Sequence, residues 1–213
     1  MRAANQAIER ERHPVPTVED LIVDLNGAIV FSKIDLNQGY HQFELEKNCQ
    51  SITTFATHVG LFRYKRLSFG VNSAAEIFQK SIEEVLQGIK GVRNISDDII
   101  MFGRSQADHD NALRATLQRM RENNLTANPD KCLFNQASID FFDHRFSADG
   151  ISADDKKVSS LINASPPRNA TEARSFLGLA QYLSRFIRDF ASISAVTKQQ
   201  QAFVCLKERM GTP

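Results

Sequence analysis

The apolar positions of this chain switch between two periods, and the switches outline its elements. In "HPVPTVEDLIVDL" (13–25) two prolines force an extended approach. Thr17 then caps a helix whose stripe is Val18, Leu21, Ile22 and Leu25, with Glu19 and Asp20 at its positive end and Asn26-Gly27 as its stop. The continuous run "AIVFSKIDL" (28–36) predicts a buried strand that ends on an aspartate. "QFEL" (42–45) and "GLFRYKRL" (60–67) alternate and "SITTFAT" (51–57) is β-branched, so all three predict strands, with Arg63, Lys65 and Arg66 projecting from the second. Ile77, Phe78, Ile82, Val85 and Leu86 recur at helical spacing between a cap at Asn72 or Ser73 and a stop at Gly88. "GVRNISDDIIMFG" (91–103) predicts two short strands around a polar turn. Ser105 and Asp108 form a capping box for a helix over 106–123 with Leu113, Leu117 and Met120 on its inner face. Strands over 131–134 and 139–147 follow, with a turn at "ADG" (148–150) and a short helix over 153–164. After the linker "SPPRN", Asn169 and Glu172 cap a last helix pair, 170–187 and 197–210.

The order strand, hairpin strands, helix, strand pair, helix, strands predicts an α+β fold with helices on one face of the sheet, close to a split βαβ arrangement. The helical tail reads as a separate small lobe. With 213 residues and 24% charged residues, the chain is long enough for one large domain or two small ones with a real core. A net charge of +1 does not announce a polyanion partner, so any such surface must come from local placement of Lys and Arg. Cys49, Cys132 and Cys205 lie far apart, in no metal-like spacing, which favours a reduced, intracellular setting, cytoplasmic or nuclear. No run approaches the ~20 apolar residues of a membrane span, and the first residues lack the apolar core of an export signal. The sequon matches at Asn163 and Asn169 are therefore read as chance.

"NISDDIIMF" (94–102) sets Asp97 and Asp98 side by side against an apolar strand. These residues are either the tip of a hairpin turn, where Asp is common, or they hold something positive. If strand 28–36 neighbours this hairpin, Asp35 and Asp97 meet at one sheet edge. Two carboxylates so placed repel unless a cation sits between them, and Mg²⁺ takes hard oxygen ligands while keeping part of its shell for phosphates.

The segments "FSKIDLNQGYHQFEL", "RYKRLSFGVNSAAEIFQ", "ISDDIIMFG", "DFFDHRFS" and "ARSFLGLAQYLSRFI" occur in this order along the chain. Together they resemble the reverse transcriptases of gypsy-like (metavirus) long-terminal-repeat retrotransposons, as a fragment of the pol polyprotein. The resemblance implies a polymerase palm, a ferredoxin-like sheet with helices on one face, and a two-metal RNA-directed DNA polymerase. It assigns residual fingers to 1–27, palm with inserted fingers strands and helix to 28–150, and thumb-like helices to 151–213. By position it makes Asp35, Asp97 and Asp98 the catalytic carboxylates, with Asp35, Asp97 and the Leu36 carbonyl on the metal and Asp98 more peripheral. It places Tyr40, Phe69, Gly70 and Gln79 at the incoming nucleotide, Tyr40 as the group that excludes a 2′-hydroxyl. Lys131 lies where a lysine could assist pyrophosphate departure. Phe142, Asp143, Arg174, Arg185 and Arg188 fall at the nucleic acid. The implied cofactor is Mg²⁺, with Mn²⁺ as a substitute. The implied partners are dNTP and an RNA or DNA template carrying a DNA primer, with no membrane; no oligomeric state is implied.

Three positions depart from the family pattern. Ile95 stands where an aromatic opens the hairpin, Ala75 where a proline precedes the helix core, and Asp143 where a glycine borders the primer phosphate. "MRAAN" resembles the middle of the fingers, so the basic hairpin that meets the triphosphate is expected to be missing. Two readings stay open: an RNA-directed DNA polymerase, or a catalytically degenerate palm remnant with at most nucleic-acid binding.

Overall fold

The structure is a computed structural model, and it describes residues 5, 6, 8–142 and 144–186. The expected helix 197–210 lies outside the described residues, as do Cys205, Asp143 and Arg188. The chain divides into two compact units, Met1–Ile139 and Asp140–Pro213.

In the first unit, α1 (Val18–Leu25) carries the expected cap: the Thr17 side chain accepts from the Asp20 N–H, and the Asp20 carboxylate accepts from the Thr17 N–H at 2.9 Å. Strand β1 (Val30–Asp35) follows. Two short strands, β2 (Phe55–Thr57) and β3 (Gly60–Phe62), form a two-stranded ribbon. Then come α2 (Ala74–Leu86), β4 (Val92–Ile95), β5 (Asp98–Gly103), α3 (Gln106–Glu122) and β6 (Leu133–Gln136). The four-stranded sheet has the order β4-β5-β1-β6 and is antiparallel throughout. This βαββαβ order is the split βαβ arrangement that the chain's periodicity predicts and the ferredoxin-like sheet that the resemblance implies. Helices α2 and α3 pack on the sheet and on each other. Their shared core joins Ile34, Leu36, Ile99 and Met101 of the sheet region to Phe78, Ile82, Ala112 and Met120 of the helices. The pleat sends alternate residues of β1 the other way, so Lys33 and Asp35 share the opposite face.

Three expectations are corrected. "QFEL" is not a strand: Gly39–Gln42 forms a 3₁₀ turn, and Glu44 makes only an isolated bridge to Arg66. Gln42 is spent on tying loops together, with its Nε2 donating to the Asn37 and Thr126 carbonyls and its Oε1 accepting from the Thr126 N–H at 2.7 Å. The inner face of α3 is His109, Ala112, Thr116 and Met120, while Leu117 is 45% exposed. His109 is taken inside because it has a partner there: its Nε2 lies 2.8 Å from Ser32 Oγ, which also accepts from the Asn135 N–H. The buried Thr116 hydroxyl has no hydrogen-bond partner among the described residues. The strand expected over 139–147 is interrupted. Phe142 takes a left-handed φ of 45°, and the segment becomes β7 (Ser138–Phe141) and β8 (His144–Ser147).

In the second unit, β8 pairs with β9 (Gly150–Ala153) through the expected "ADG" turn, and β7, β8 and β9 make a three-stranded sheet in that order. Helices α4 (Asp155–Ile162) and α5 (Ala170–Tyr182) pack around Leu161, Ala180 and Leu183, and Asn169 caps α5 by accepting from the Glu172 N–H at 2.9 Å. Among the described residues no helix is long and apolar enough to cross a membrane.

Candidate active site

The register of β1 on β5 places Asp35 opposite Asp98, and the Leu36 N–H donates to the Asp97 carbonyl at 2.8 Å. The strand end and the hairpin tip are thus locked together by backbone, independently of any side chain. Beyond β1 the chain turns at Gln38 and Gly39 and passes Asp97. Gly39 has φ +40°, and a Cβ built there would lie 3.7 Å from the Asp97 Cβ. The left-handed conformation, rather than lack of room, is what calls for glycine.

The result is a cleft of about 450 Å³ lined by Asp35, Leu36, Gly39, Tyr40, Phe69 and Asp97, with Ser96, Asn128 and Lys131 among its other walls. Asp35 and Asp97 therefore face one cavity, as the motif reading requires. Asp98 does not line it. Its carboxylate lies on the Lys33 face of the sheet, 3.4 Å from Lys33 Nζ, in an ion pair that leaves the buried Oδ1 without a hydrogen-bond donor. Burial pushes the Asp98 carboxyl above the usual carboxylate range, Lys33 opposes that shift, and the charges of Asp97 and Asp35 add to it.

Lys131, at the end of a 3₁₀ turn, reaches back with Nζ 3.1 Å from Asp35 Oδ2, and that contact raises the lysine above its ordinary value. Its neighbour Asn128 donates its N–H to the Asp35 carbonyl at 2.8 Å.

Tyr40 is half-buried, with its ring 5.0 Å from Phe69 and 5.1 Å from Phe78. Burial, then the nearby charges of Asp97 and Glu76, hold its phenol protonated above the ordinary tyrosine value. Phe69 is 70% exposed, and Gly70 follows it at φ +88°. Gln79 is fully buried and absent from the cleft wall. Its Nε2 donates to the Asn94 carbonyl and the Glu83 carboxylate, and its Oε1 accepts from the Ser96 N–H at 2.8 Å. That last bond holds Ser96 at a left-handed φ of 52°, on the tip between the strands. Ile95, where the family pattern has an aromatic, is buried.

The cleft thus gathers Asp35, Leu36, Asp97, Tyr40 and Phe69. Gln79 acts on it only through the hairpin. Sequence reasoning missed Gly39, Asn128 and Gln42; the Asn-Gln-Gly run at 37–39, a turn signal after the aspartate, was the available clue. Phe142, Arg174 and Arg185 belong to the second unit. There Phe142 packs on Phe141 and accepts a hydrogen bond from His144 at its carbonyl, Arg174 is exposed on α5, and Arg185 Nη1 lies 3.1 Å from His144 Nε2.

The oxygen donors suit a divalent cation. They are hard and already hold one ammonium group. Among the described residues no group of three or more His, Cys, Asp or Glu side chains is gathered to hold a metal, so Asp35 and Asp97 stand in the cleft as a pair that Asp98 does not complete.

Comparison with known proteins shows the family and the fold. Residues 1–179 match the family model described as reverse transcriptase (RNA-dependent DNA polymerase). The chain is 32% identical over 228 residues to the retrovirus-related Pol polyprotein from transposon 412 of Drosophila melanogaster, covering 100% of this chain and 18% of that protein. It is 31% identical over 195 residues to the corresponding polyprotein from transposon gypsy of the same fly, covering 91% of this chain and 19% of the relative. The chain thus spans less than a fifth of these curated relatives. Among solved structures, the foamy viral protease-reverse transcriptase in complex with double-stranded DNA aligns with a TM-score of 0.87 at 18% identity, over 99% of this chain and 48% of that one. The same enzyme in complex with an RNA/DNA hybrid aligns at 0.84 and 19% identity, over 98% of this chain and 31% of that one. At that identity the likeness shows the fold.

Proposed function

Because the chain belongs to the reverse transcriptase (RNA-dependent DNA polymerase) family, we propose that it is the palm-bearing part of a retrotransposon polymerase and extends a DNA primer on an RNA or DNA template. The observation that carries this reading is the shared cleft of Asp35, Asp97 and Tyr40.

In this reading Asp35, Asp97 and the Leu36 carbonyl hold Mg²⁺, with Mn²⁺ as a substitute. When bound, the metal ions neutralise the charge on the triphosphate and lower the barrier to in-line attack by the primer hydroxyl. The protein's own part is positioning. The backbone lock between Leu36 and Asp97 keeps the two carboxylates in register, and Gln79 fixes the hairpin tip that carries Asp97. Tyr40, held between Phe69 and Phe78, would face the sugar and exclude a 2′-hydroxyl. Lys131 holds its proton beside Asp35 and is placed to give it to the departing pyrophosphate. Asp98 stays outside the cleft, paired with Lys33, and shapes the field around the other two. The lobes follow: 1–27 as fingers segment, 28–150 as palm with inserted fingers elements, 151–213 as thumb-like helices. Arg174, Arg185 and Arg188 then act on backbone phosphates, and Phe142 with Asp143 borders the primer. The setting is intracellular.

The test is primer extension by the purified chain with Mg²⁺ and a primed template, run beside Asp35→Asn and Asp97→Asn. Any incorporation, weak or strong, should depend on both carboxylates, with calorimetric Mg²⁺ binding lost in the same two variants. Incorporation that persists in either variant sinks the mechanism.

A further inference from the structure

Phe69 is the least supported wall of the cleft. Leu67 and Ser68 before it are buried, but Phe69 is mostly exposed, and its described ring contacts are Tyr40 and His41, at 5.0 and 5.8 Å. After it comes Gly70 at φ +88°, a conformation that the chain adopts readily but also leaves readily. Something must hold this turn if Phe69 is to face Tyr40 reproducibly.

The N-terminal segment supplies that hold. Asn5 grips the turn at two points: its Nδ2 donates to the Gly70 carbonyl at 2.8 Å, and its Oδ1 accepts from the Asn72 N–H at 3.0 Å. Both ends of the amide are used, donor and acceptor on separate atoms; an ionised carboxylate, an acceptor only, could not do this. Ser73, at the N-cap position of α2, makes no side-chain cap; its Oγ accepts from the Glu11 N–H at 3.2 Å instead. The strap then runs along one face of α2. Arg10 pairs with Glu76 at 2.7 Å, Glu11 with Lys80 at 2.6 Å and His13 with Glu83 at 2.8 Å. Residues 76, 80 and 83 follow helical spacing, so the strap lies in register on the helix that begins where the turn ends.

We propose that Asn5 is a positioning residue for the nucleotide side of the cleft: its amide pins the Phe69–Gly70 turn so that Phe69 packs, tilted, against Tyr40 and closes the wall that an incoming nucleotide meets. This rests on the polymerase reading of the site for its consequence, though not for its geometry. Loss of the amide should weaken nucleotide capture while leaving the carboxylates, and so the chemical step, in place.

The chain has no tryptophan, so Phe69→Trp gives a single reporter at the turn. In that background Asn5→Ala should raise acrylamide quenching about twofold or more, while Arg10→Ala, which cuts the strap away from the turn, should leave quenching unchanged. With Phe69 intact, Asn5→Ala should raise the KM for dNTP about tenfold, the factor that corresponds to ~1.4 kcal/mol, with kcat held within about twofold. Should Asn5→Ala fail to fold, Asn5→Asp, which keeps the acceptor for Asn72 and loses the donor to Gly70, is read the same way. Unchanged quenching overturns the proposal. So does an equal rise in Arg10→Ala, or a joint fall of kcat and melting temperature with no change in KM. A parent chain that incorporates no nucleotide would count against the polymerase reading alone, since the quenching comparison still decides what Asn5 does.

Discussion

Gln79 and Gly39 shape the candidate site without being ligands, and each does so through the backbone. Gln79 closes three hydrogen bonds in a fully buried position, two of them to the hairpin that carries Asp97. Gln79→Ala should strand the Asn94 carbonyl and the Ser96 N–H, costing ~2–4 kcal/mol for the unpaired groups and the cavity. The expected result is a melting temperature lower by about 5–10 °C together with loss of incorporation. A variant that keeps both stability and activity would remove Gln79 from the argument. Gly39→Ala is a milder case. The new methyl would meet Asp97 only at ordinary contact distance, so the cost is the left-handed backbone, ~1–2 kcal/mol. Here activity should fall more than stability, because the residue that strains is the one beside Asp97. Parallel thermal melts and single-nucleotide incorporation separate the two effects.

Among elements, the strap on α2 has a pH dependence that can be worked out. The Arg10 guanidinium, through its hydrogen bond, holds the Glu76 carboxyl below its ordinary range. A depressed carboxylate contributes stability that is fully present above the unfolded glutamate value, ~4.3, and is lost as pH falls through the lower folded value. Arg10→Ala should therefore lower the melting temperature above about pH 5 and have no effect once Glu76 is protonated in both states. Arg10 is largely exposed, so the difference at neutral pH should be on the order of one to three degrees. A gap that widens on acidification would contradict the sign. Helix α3 teaches a second lesson at this scale. Its apolar residues suggested Leu113, Leu117 and Met120 as the inner face; Met120 is buried and Leu113 packs on the core, but Leu117 is exposed and His109 and Thr116 are buried beside them. Hydrophobic spacing locates a helix well, but the rotation of that helix is set by what the sheet offers it. Here β1 offers Ser32, which needs a polar partner.

For the whole molecule, the polymerase reading makes the second unit a phosphate-contacting surface. Arg174, exposed on α5, and Arg185, tied to His144, differ in freedom. Binding to a primed duplex should weaken as salt rises, and Arg174→Ala should flatten the slope of log K against log salt by about one. An unchanged slope would take Arg174 off the phosphate backbone. Much of this molecule was legible in the sequence. Periodicity and caps gave α1, α2, β1, the β4–β5 hairpin and the capped start of α5, because these depend on local spacing and on residues a few positions apart. The carboxylates were legible too, since an aspartate ending a buried run and a pair of aspartates at a hairpin tip are local anomalies. Tertiary structure alone decided the rest. Only the register of β1 on β5 sets Asp35 against Asp98, and only the hairpin tip, fixed beyond that ladder by the Leu36–Asp97 backbone bond, brings Asp97 into the cleft. Only the fold brings Asn5 to Gly70, Gln42 to Thr126 and Lys131 to Asp35 across long stretches of chain. These are single polar contacts between distant segments, and such contacts leave no period in a sequence: their partners are chosen by where the sheet and its two helices place the backbone.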